Sequence, residues 1–421
     1  MSDIQIKFLG GTREVGRSGV SVKTDSTQVL LDYGAMLGRT PGFPMHVPPK
    51  EVDGIILSHS HLDHSGGIPV FYIREEPPLF TNQLAADLND LLITDFIKLS
   101  RYYLPFEYLE LKTMMKNSVH VDFRVEKKVG DIKFKLLNAG HIPGSAQILM
   151  EAEGKRLLYT GDFNTQDTRL LEGADTDYGE LDAVIMESTY ANEDHTDRMK
   201  LENRFMSEIR EVVEGGGIVL VPAFGVGRSQ EIACVLAAHR LKYPVAIDGM
   251  IRGANKIMIR HGQFLRDAKL LEEALNSAHW IAGWRDRKKT AQKSGVIIST
   301  SGMLKGGPSM YYMDEIGGNS FNGIFLVSYQ IPGTPGRQLL DKGVFPIHGK
   351  MEKIKAKVSH FDFSSHSGKN QLQNFVQKLE GKPKIYVMHG AEENCEFLAR
   401  WIREEAGLEA VAPHTGDTHH L

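Results

Sequence analysis

Cysteine is nearly absent: Cys234 and Cys395 are the 2 in a chain of 421 residues. They stand far apart in helix-like segments, so they imply no disulfide framework and no thiol motif, and both read as small buried residues. A run long and apolar enough to cross a bilayer is also missing. So is the basic-then-apolar order of a signal peptide, since residues 1–7 alternate like a first strand instead. These absences point to a cytoplasmic protein with no membrane partner. Positive charge is not in excess either, with 49 Lys and Arg against 53 Asp and Glu and a net charge of −4. Binding a polyanion would then have to rely on local patches or on bound cations, because attraction to phosphate needs positive potential. No internal repeat or low-complexity tract is found. What remains, 41% hydrophobic and 24% charged, is ordinary for a globular protein with a sizeable core, and the length suggests about two or three domains.

The most informative stretch follows the apolar run Ile55-Ile56-Leu57 and reads Ser58-His59-Ser60-His61-Leu62-Asp63-His64. Chance and packing seldom concentrate ligand-type side chains so tightly. His59 and His61 project to one side of an extended turn, and Asp63 and His64 lie one step further along, which suits two adjacent cations. Neutral imidazole with carboxylate favours zinc, with manganese or iron as substitutes. Further ligand types recur after strand-like runs. Residues 134–137 lead to Gly140-His141, Leu157-Leu158-Tyr159 lead to Thr160-Gly161-Asp162, and residues 384–388 lead to His389-Gly390. Ligands at strand ends, flanked by glycines that let the backbone come close, are what a site on the rim of a sheet sandwich requires.

The order Asp32, His59-x-His61-x-Asp63-His64, His141, Asp162 resembles the metallo-β-lactamase superfamily, which implies an α/β fold, an αββα sandwich. Glu187-Ser188-Thr189-Tyr190, Phe363-Ser364-Ser365-His366-Ser367-Gly368 and Val387-Met388-His389-Gly390 are similar to the three motifs of its β-CASP nucleases. Residues 297–308, Ile297-Ile298-Ser299-Thr300-Ser301-Gly302-Met303-Leu304 and then Gly306-Gly307-Pro308, look like the cleavage and polyadenylation specificity factor branch. No stretch resembles the Thr-Gly-Ser-Gln-Gly loop of RNase J. The chain is similar to short archaeal members without the RNA-binding KH modules, since Gly10-Gly11 and Asp32 begin the catalytic fold almost at once. The resemblance implies two Zn2+ per chain, with Mn2+ as a substitute. His59, His61 and His141 would hold one ion, Asp63, His64 and His389 the other, with Asp162 between them. Asp32 is placed as an acceptor that fixes a ligand histidine's tautomer. Asp63, His366 and Glu187 are the expected catalytic residues, His366 as general acid paired with Glu187.

The motifs also set the organisation. Residues 1–190 would form a first part of the metallo-β-lactamase domain, 191–351 an inserted β-CASP domain, and 352–421 the second part. Within the insertion, 217–221, 245–247 and 296–298 read as strands and 230–241 as a helix, so a mostly parallel α/β sheet is expected. Residues 222–230, Pro-Ala-Phe-Gly-Val-Gly-Arg-Ser-Gln, partly mimic a dinucleotide fingerprint with Asp248 as the ribose acid, but Gln230 replaces the third glycine. The same helix start, with Arg228 and Ser229, could instead face an RNA phosphate, and Ser301 is a further candidate contact. Three basic stretches, 252–269, 284–289 beside Trp284, and 350–357, could hold phosphates and stack bases, or could be solvated faces. A helix around 397–402 should pack on its own sheet, and Thr418-His419-His420-Leu421 reads as a solvated tail.

From the resemblance, the expected function is zinc-dependent endonucleolytic cleavage of single-stranded RNA in processing, 3′-end formation or decay, giving 5′-phosphate and 3′-hydroxyl ends. A homodimer and contact with transcription or RNA-decay machinery are implied in the same way. The nearest rival is a 5′-to-3′ exoribonuclease. A small-molecule hydrolase would not need Glu187, His366 or the insertion, and a non-catalytic RNA-binding scaffold would not keep every ligand.

Overall fold

The computed structural model describes residues 4–36, 41–100, 103–331 and 333–421; residues 1–3 of the expected first strand lie outside them. The chain divides into two compact units. One is Met1–Asp167, Gly173–Asp194 and His366–Leu421, and the other is Thr168–Glu172 and His195–Ser365.

The first unit opens with β1 (Gln5–Gly10), β2 (Gly19–Lys23), β3 (Gln28–Leu31), β4 (Gly54–Ile56), β5 (Leu79–Thr81) and β6 (Ser118–His120). It continues with β7 (Glu126–Val129), β8 (Ile132–Asn138), β9 (Ala146–Ala152), β10 (Lys155–Tyr159) and β11 (Ala183–Glu187). The second unit contributes β12 (Ile218–Pro222), β13 (Val245–Asp248), β14 (His279–Trp280), β15 (Gly295–Ser299), β16 (Gly323–Leu326), β17 (Val344–Ile347), β18 (Lys350–Lys353) and β19 (Lys357–His360). The chain then returns to the first unit with β20 (Lys384–Met388), β21 (Ala410–Val411) and β22 (Thr418–His420).

Two seven-stranded sheets form in the first unit, ordered β22-β1-β2-β3-β4-β5-β6 and β21-β20-β11-β10-β9-β8-β7. Successive residues of a strand face opposite sides, and here both sides are buried. Ile56, Leu157, Ile185 and Tyr386 point into the core between the sheets. Their neighbours Leu158, Val184 and Ile385 point outward onto the helices Lys369–Gln377 and Glu392–Glu404. Ile55 points onto the helices Gln83–Leu99 and Tyr108–Lys116. Four layers, αββα, result, and burial on both faces explains why these strands read as continuous apolar runs. Helix Glu392–Glu404 buries Leu398, Ala399 and Ile402 on its own sheet, as its spacing predicts.

Strand direction gathers the sequence motifs. β8 and β10 are each antiparallel to β9, and β10, β11 and β20 are mutually parallel. The carboxyl ends of β8, β10, β11 and β20 therefore share one end of the sheet, as do those of parallel β3 and β4 in the other. His141, Asp162, Glu187 and His389 leave the first group, and Asp32 and the His59–His64 segment leave the second.

The second unit holds a six-stranded sheet, β14-β13-β15-β12-β16-β19, parallel throughout. Its connections diverge at adjacent strands: β12 leads two places one way to β13, and β15 leads two places the other way to β16. Such a switch point opens a crevice at the carboxyl edge.

Two expectations are corrected. The inserted unit runs to Ser365, not 351, because β19 pairs with β16 and belongs to the inserted sheet. The C-terminal residues are not a solvated tail: β22 pairs antiparallel with β1, and His419 packs against Phe8 and Tyr386 at 5.9 and 4.9 Å between ring centroids. No helix of the described residues is long and apolar enough to cross a membrane.

Candidate metal centre

All seven expected ligands converge at the rim of the sandwich. His59, His61, His141 and Asp162 form one group that could hold a metal ion, and Asp63, His64 and His389 form a second. Asp162 faces both. Its Oδ2 lies 3.7 Å from His59 Nε2 and 3.6 Å from His141 Nε2, and its Oδ1 lies 3.3 Å from His64 Nε2 and 2.7 Å from His389 Nδ1. His61 Nδ1 approaches His141 Nε2 at 3.1 Å, and Asp63 Oδ2 lies 3.7 Å from His389 Nε2. Two glycines permit this crowding. Gly161 takes φ +52 immediately before Asp162, and a Cβ on Gly34 would stand 1.7 Å from the Asp63 carbonyl oxygen.

Asp32 is fully buried and carries four donors. Its carboxylate accepts from Ser58 N and Ser58 Oγ at 2.7 Å each, His64 Nδ1 at 2.7 Å and Tyr159 OH at 2.8 Å. A carboxylate on Nδ1 fixes the tautomer and leaves Nε2 facing Asp162, the orientation a ligating imidazole needs. Tyr159 was not singled out from the sequence. Its one local signal is that it ends β10, on the inward face, three positions before Asp162.

Charge and burial agree with a cation site. Burial, reinforced by His64, pushes the His59 pKa well below its ordinary value. Burial likewise lowers His61 to about 4, although Asp63 and Asp162 act against it. For His64 burial lowers the pKa, but the Asp162 and Asp32 carboxylates outweigh it and raise the group well above its usual range. Burial would raise Asp162, yet His389 and His64 hold it well below the carboxylate range. His59 Nε2 is the informative atom. It is sealed from solvent with no hydrogen-bond partner, a costly state for a polar group. A divalent cation fits that lone pair and the surrounding nitrogen and oxygen donors.

Beside the ligands, His366 Nδ1 contacts Glu187 Oε1 and Oε2 at 2.8 and 3.0 Å. Glu187 is buried and is held by the amides of Phe163 and Thr189 at 2.9 and 3.3 Å. The His366 ring stands 4.5 Å from that of His141. Asp162, Glu187 and His366 also lie close enough to be counted as a possible ligand group.

The remaining candidates sit in the second unit. Arg228 is buried and donates to the Val327 carbonyl at 3.1 Å and to Ser365 Oγ at 3.3 Å, and the buried Ser229 hydroxyl donates to Gly225 O at 3.3 Å. Their side chains are committed to the fold instead of facing outward from the helix start. Ser301 closes its own loop, donating to Gly306 O at 3.2 Å and accepting from Lys305 N at 3.1 Å. Asp248 is no ribose acid, because it is buried and binds Arg287, Tyr312 OH and Gly249 N. Lys357 of the third basic stretch is paired with Glu208 and Glu211 at 3.3 and 2.8 Å.

Three family descriptions match the chain in order. They are the metallo-beta-lactamase superfamily over residues 22–199, the Beta-Casp domain over 229–339, and the Zn-dependent metallo-hydrolase RNA specificity domain over 351–413. The chain is thus a metallo-hydrolase of the metallo-β-lactamase superfamily, in its β-CASP branch, as the motifs indicated. Several similar proteins are archaeal. The chain is 39% identical to RNase aCSPSF2 of Saccharolobus solfataricus, over 98% of this chain and 84% of that protein. Probable RNase MJ4 of Methanocaldococcus jannaschii is 34% identical over 98% of this chain and 99% of its own length. Transcription termination factor FttA of Pyrococcus abyssi is 34% identical over 99% of this chain and 71% of that protein.

Proposed function

We propose that the protein is a metal-dependent ribonuclease that cuts single-stranded RNA internally, using two zinc ions and leaving 5′-phosphate and 3′-hydroxyl ends. The observation that carries this reading is the Glu187–His366 pair set against the ligand cluster, 4.5 Å between the His141 and His366 rings. Ions bound there would supply Lewis acidity, making water nucleophilic at neutral pH and neutralising charge on the scissile phosphate.

The chain's own groups do the rest. Asp63, whose side chain is 31% exposed, is the more accessible carboxylate of the cluster and takes the proton of the attacking water. Water oxygen bonds to phosphorus and the P–O3′ bond breaks. Glu187 occupies His366 Nδ1, so the proton needed by the departing 3′-oxygen leaves from Nε2 of the imidazolium. A positioned general acid is worth about 10²–10⁴ in rate. Reading His366 as a metal ligand is less satisfactory, because both oxygens of its would-be co-ligand Glu187 are taken up by Nδ1 and two backbone amides.

One substrate pair tests the mode of cutting. A body-labelled single-stranded RNA is supplied with either a 5′-triphosphate or a 5′-monophosphate. Internal fragments from both, with 3′-hydroxyl ends, are expected. Mononucleotides released only from the monophosphate form would replace this reading with a 5′-to-3′ exonuclease, and intact RNA with every metal would refute it. The names of the relatives, RNase and transcription termination factor, support ribonuclease activity and a link to transcription.

A further inference from the structure

Trp284 is 60% exposed. Tryptophan is highly buried on average, and leaving most of its ring in water forgoes much of the apolar area it could hide. Nothing about the ring's support is loose. It leans on Tyr311 at 4.6 Å between centroids, tilted by 58°. The Arg287 guanidinium lies 5.9 Å from its ring centroid and is itself anchored on the buried Asp248 at 2.5 and 3.0 Å. Tyr312 OH adds a third bond to Asp248, at 2.9 Å. In the first turn of the short helix Trp284–Thr290, Asp286 accepts from Ala282 N at 2.8 Å and contacts His279 Nε2 at 2.9 Å, which ties down the turn that precedes the tryptophan. An exposed aromatic is therefore braced by hydrogen-bonded neighbours at the carboxyl edge of the parallel sheet, where β13 ends in Asp248.

The helix that carries this ring is cationic, while Glu315 lies against Tyr311 behind it. Residues 284–290 carry Arg285, Arg287, Lys288 and Lys289 against a single acid, Asp286, which is engaged as described. Arg285, Lys288 and Lys289 are all exposed. This local excess stands out in a chain whose net charge is −4. A flat hydrophobic ring bordered by exposed cations is complementary to a nucleobase with its flanking phosphates.

We propose that Trp284, backed by Tyr311, is a base-stacking platform for single-stranded RNA, with Arg285, Lys288 and Lys289 as its phosphate contacts. The proposal rests on the ribonuclease reading for its choice of ligand. It adds a contact on the inserted unit, one that secures RNA by any base and without sequence preference.

The test measures binding of a fluorescein-labelled single-stranded 20-mer RNA by the full chain, in a His366→Ala background so that the probe stays intact. Stacking is worth about 1–3 kcal/mol per base on alanine substitution. Adding Trp284→Ala should therefore raise Kd about tenfold, while Trp284→Phe should stay within about threefold. Lys288→Gln with Lys289→Gln should lower the slope of log affinity against log salt by about 1.4, at about 0.7 per single-strand phosphate contact. An unchanged Kd for Trp284→Ala, or an equal loss for the phenylalanine variant, overturns the platform. The same holds if RNA affinity is unaffected and the alanine variant instead loses self-association in sedimentation, which would make the ring part of a protein interface. The two readings fail separately. A chain that stacks RNA on Trp284 but cuts none refutes only the nuclease, and one that cuts RNA with Trp284→Ala affinity intact refutes only the platform.

Discussion

Replacing Glu187 with glutamine changes one atom's chemistry at the point where the account is most exposed. The carboxylate now accepts from His366 Nδ1 at 2.8 and 3.0 Å and from the amides of Phe163 and Thr189. Glutamine keeps one acceptor oxygen and presents an NH2 group in place of the other, so it cannot satisfy Nδ1–H and both amides at once. A hydrogen bond to a charged partner is worth about 1.5–3 kcal/mol. Lost from the imidazolium in the transition state, it corresponds to a fall of about 10–100-fold in single-turnover rate. His366→Ala should cost more, about 10²–10⁴. Rate alone does not establish proton donation, so the assay uses two RNAs, one with its scissile 3′-oxygen replaced by sulfur. A thiolate departs without a proton. The Glu187→Gln and His366→Ala deficits should therefore largely disappear on the sulfur substrate, with metal content unchanged. Equal deficits on both substrates, or loss of metal in His366→Ala, would refute the general-acid assignment.

Other outcomes follow from the same geometry. Tyr159→Phe removes one of four donors to Asp32 and should weaken zinc binding about tenfold in a chelator competition, since outer contacts of this kind are worth about 10–100-fold. Gly34→Ala places a Cβ 1.7 Å from the Asp63 carbonyl oxygen and 2.1 Å from its carbonyl carbon. Backbone cannot yield there, so denaturant titration should show a loss at or above the overpacking range of about 1–3 kcal/mol, and zinc affinity should fall with it. Glu202 governs acid stability. Burial would raise its pKa, but Arg169, His239 and Arg198 outweigh this and bring it from 4.5 to about 2. A depressed carboxylate contributes stability that is complete above the unfolded value and is lost as pH falls through the folded one. The unfolding midpoint should thus drop between about pH 4.5 and pH 2 more steeply in the native chain than in Glu202→Gln; parallel curves would exclude Glu202 as the cause.

The metal centre could be read early because its signal is local. His59, His61, Asp63 and His64 sit within one turn after β4, and His141, Asp162 and His389 each follow a strand whose apolar run is unmistakable. The two-sheet sandwich was implied by the family resemblance, whereas in the insertion the apolar runs at 217–221, 245–247 and 296–298 coincide with β12, β13 and β15. What escaped depends on contacts between residues far apart in sequence. Tyr159 acts only because the two sheets bring it 2.8 Å from Asp32. β22 is three polar-looking residues whose partner is β1, at the other end of the chain. β19 is partly exposed along its length and carries no apolar run, and only its pairing with β16 assigns it to the inserted sheet. Arg228 would ordinarily face water at a helix start, but the Val327 carbonyl and Ser365 draw it inward.

The most direct test of the central claim is a zinc titration of the chelator-treated full chain, with cleavage of an internally labelled single-stranded RNA followed at each point and Asp162→Asn run in parallel. Asp162 lies between both ligand groups. RNA cleavage should rise with bound zinc and saturate at about two equivalents, and the Asp162→Asn chain should bind less zinc and leave the RNA intact. Cleavage by the metal-free chain, or by Asp162→Asn at the native rate, would contradict the account.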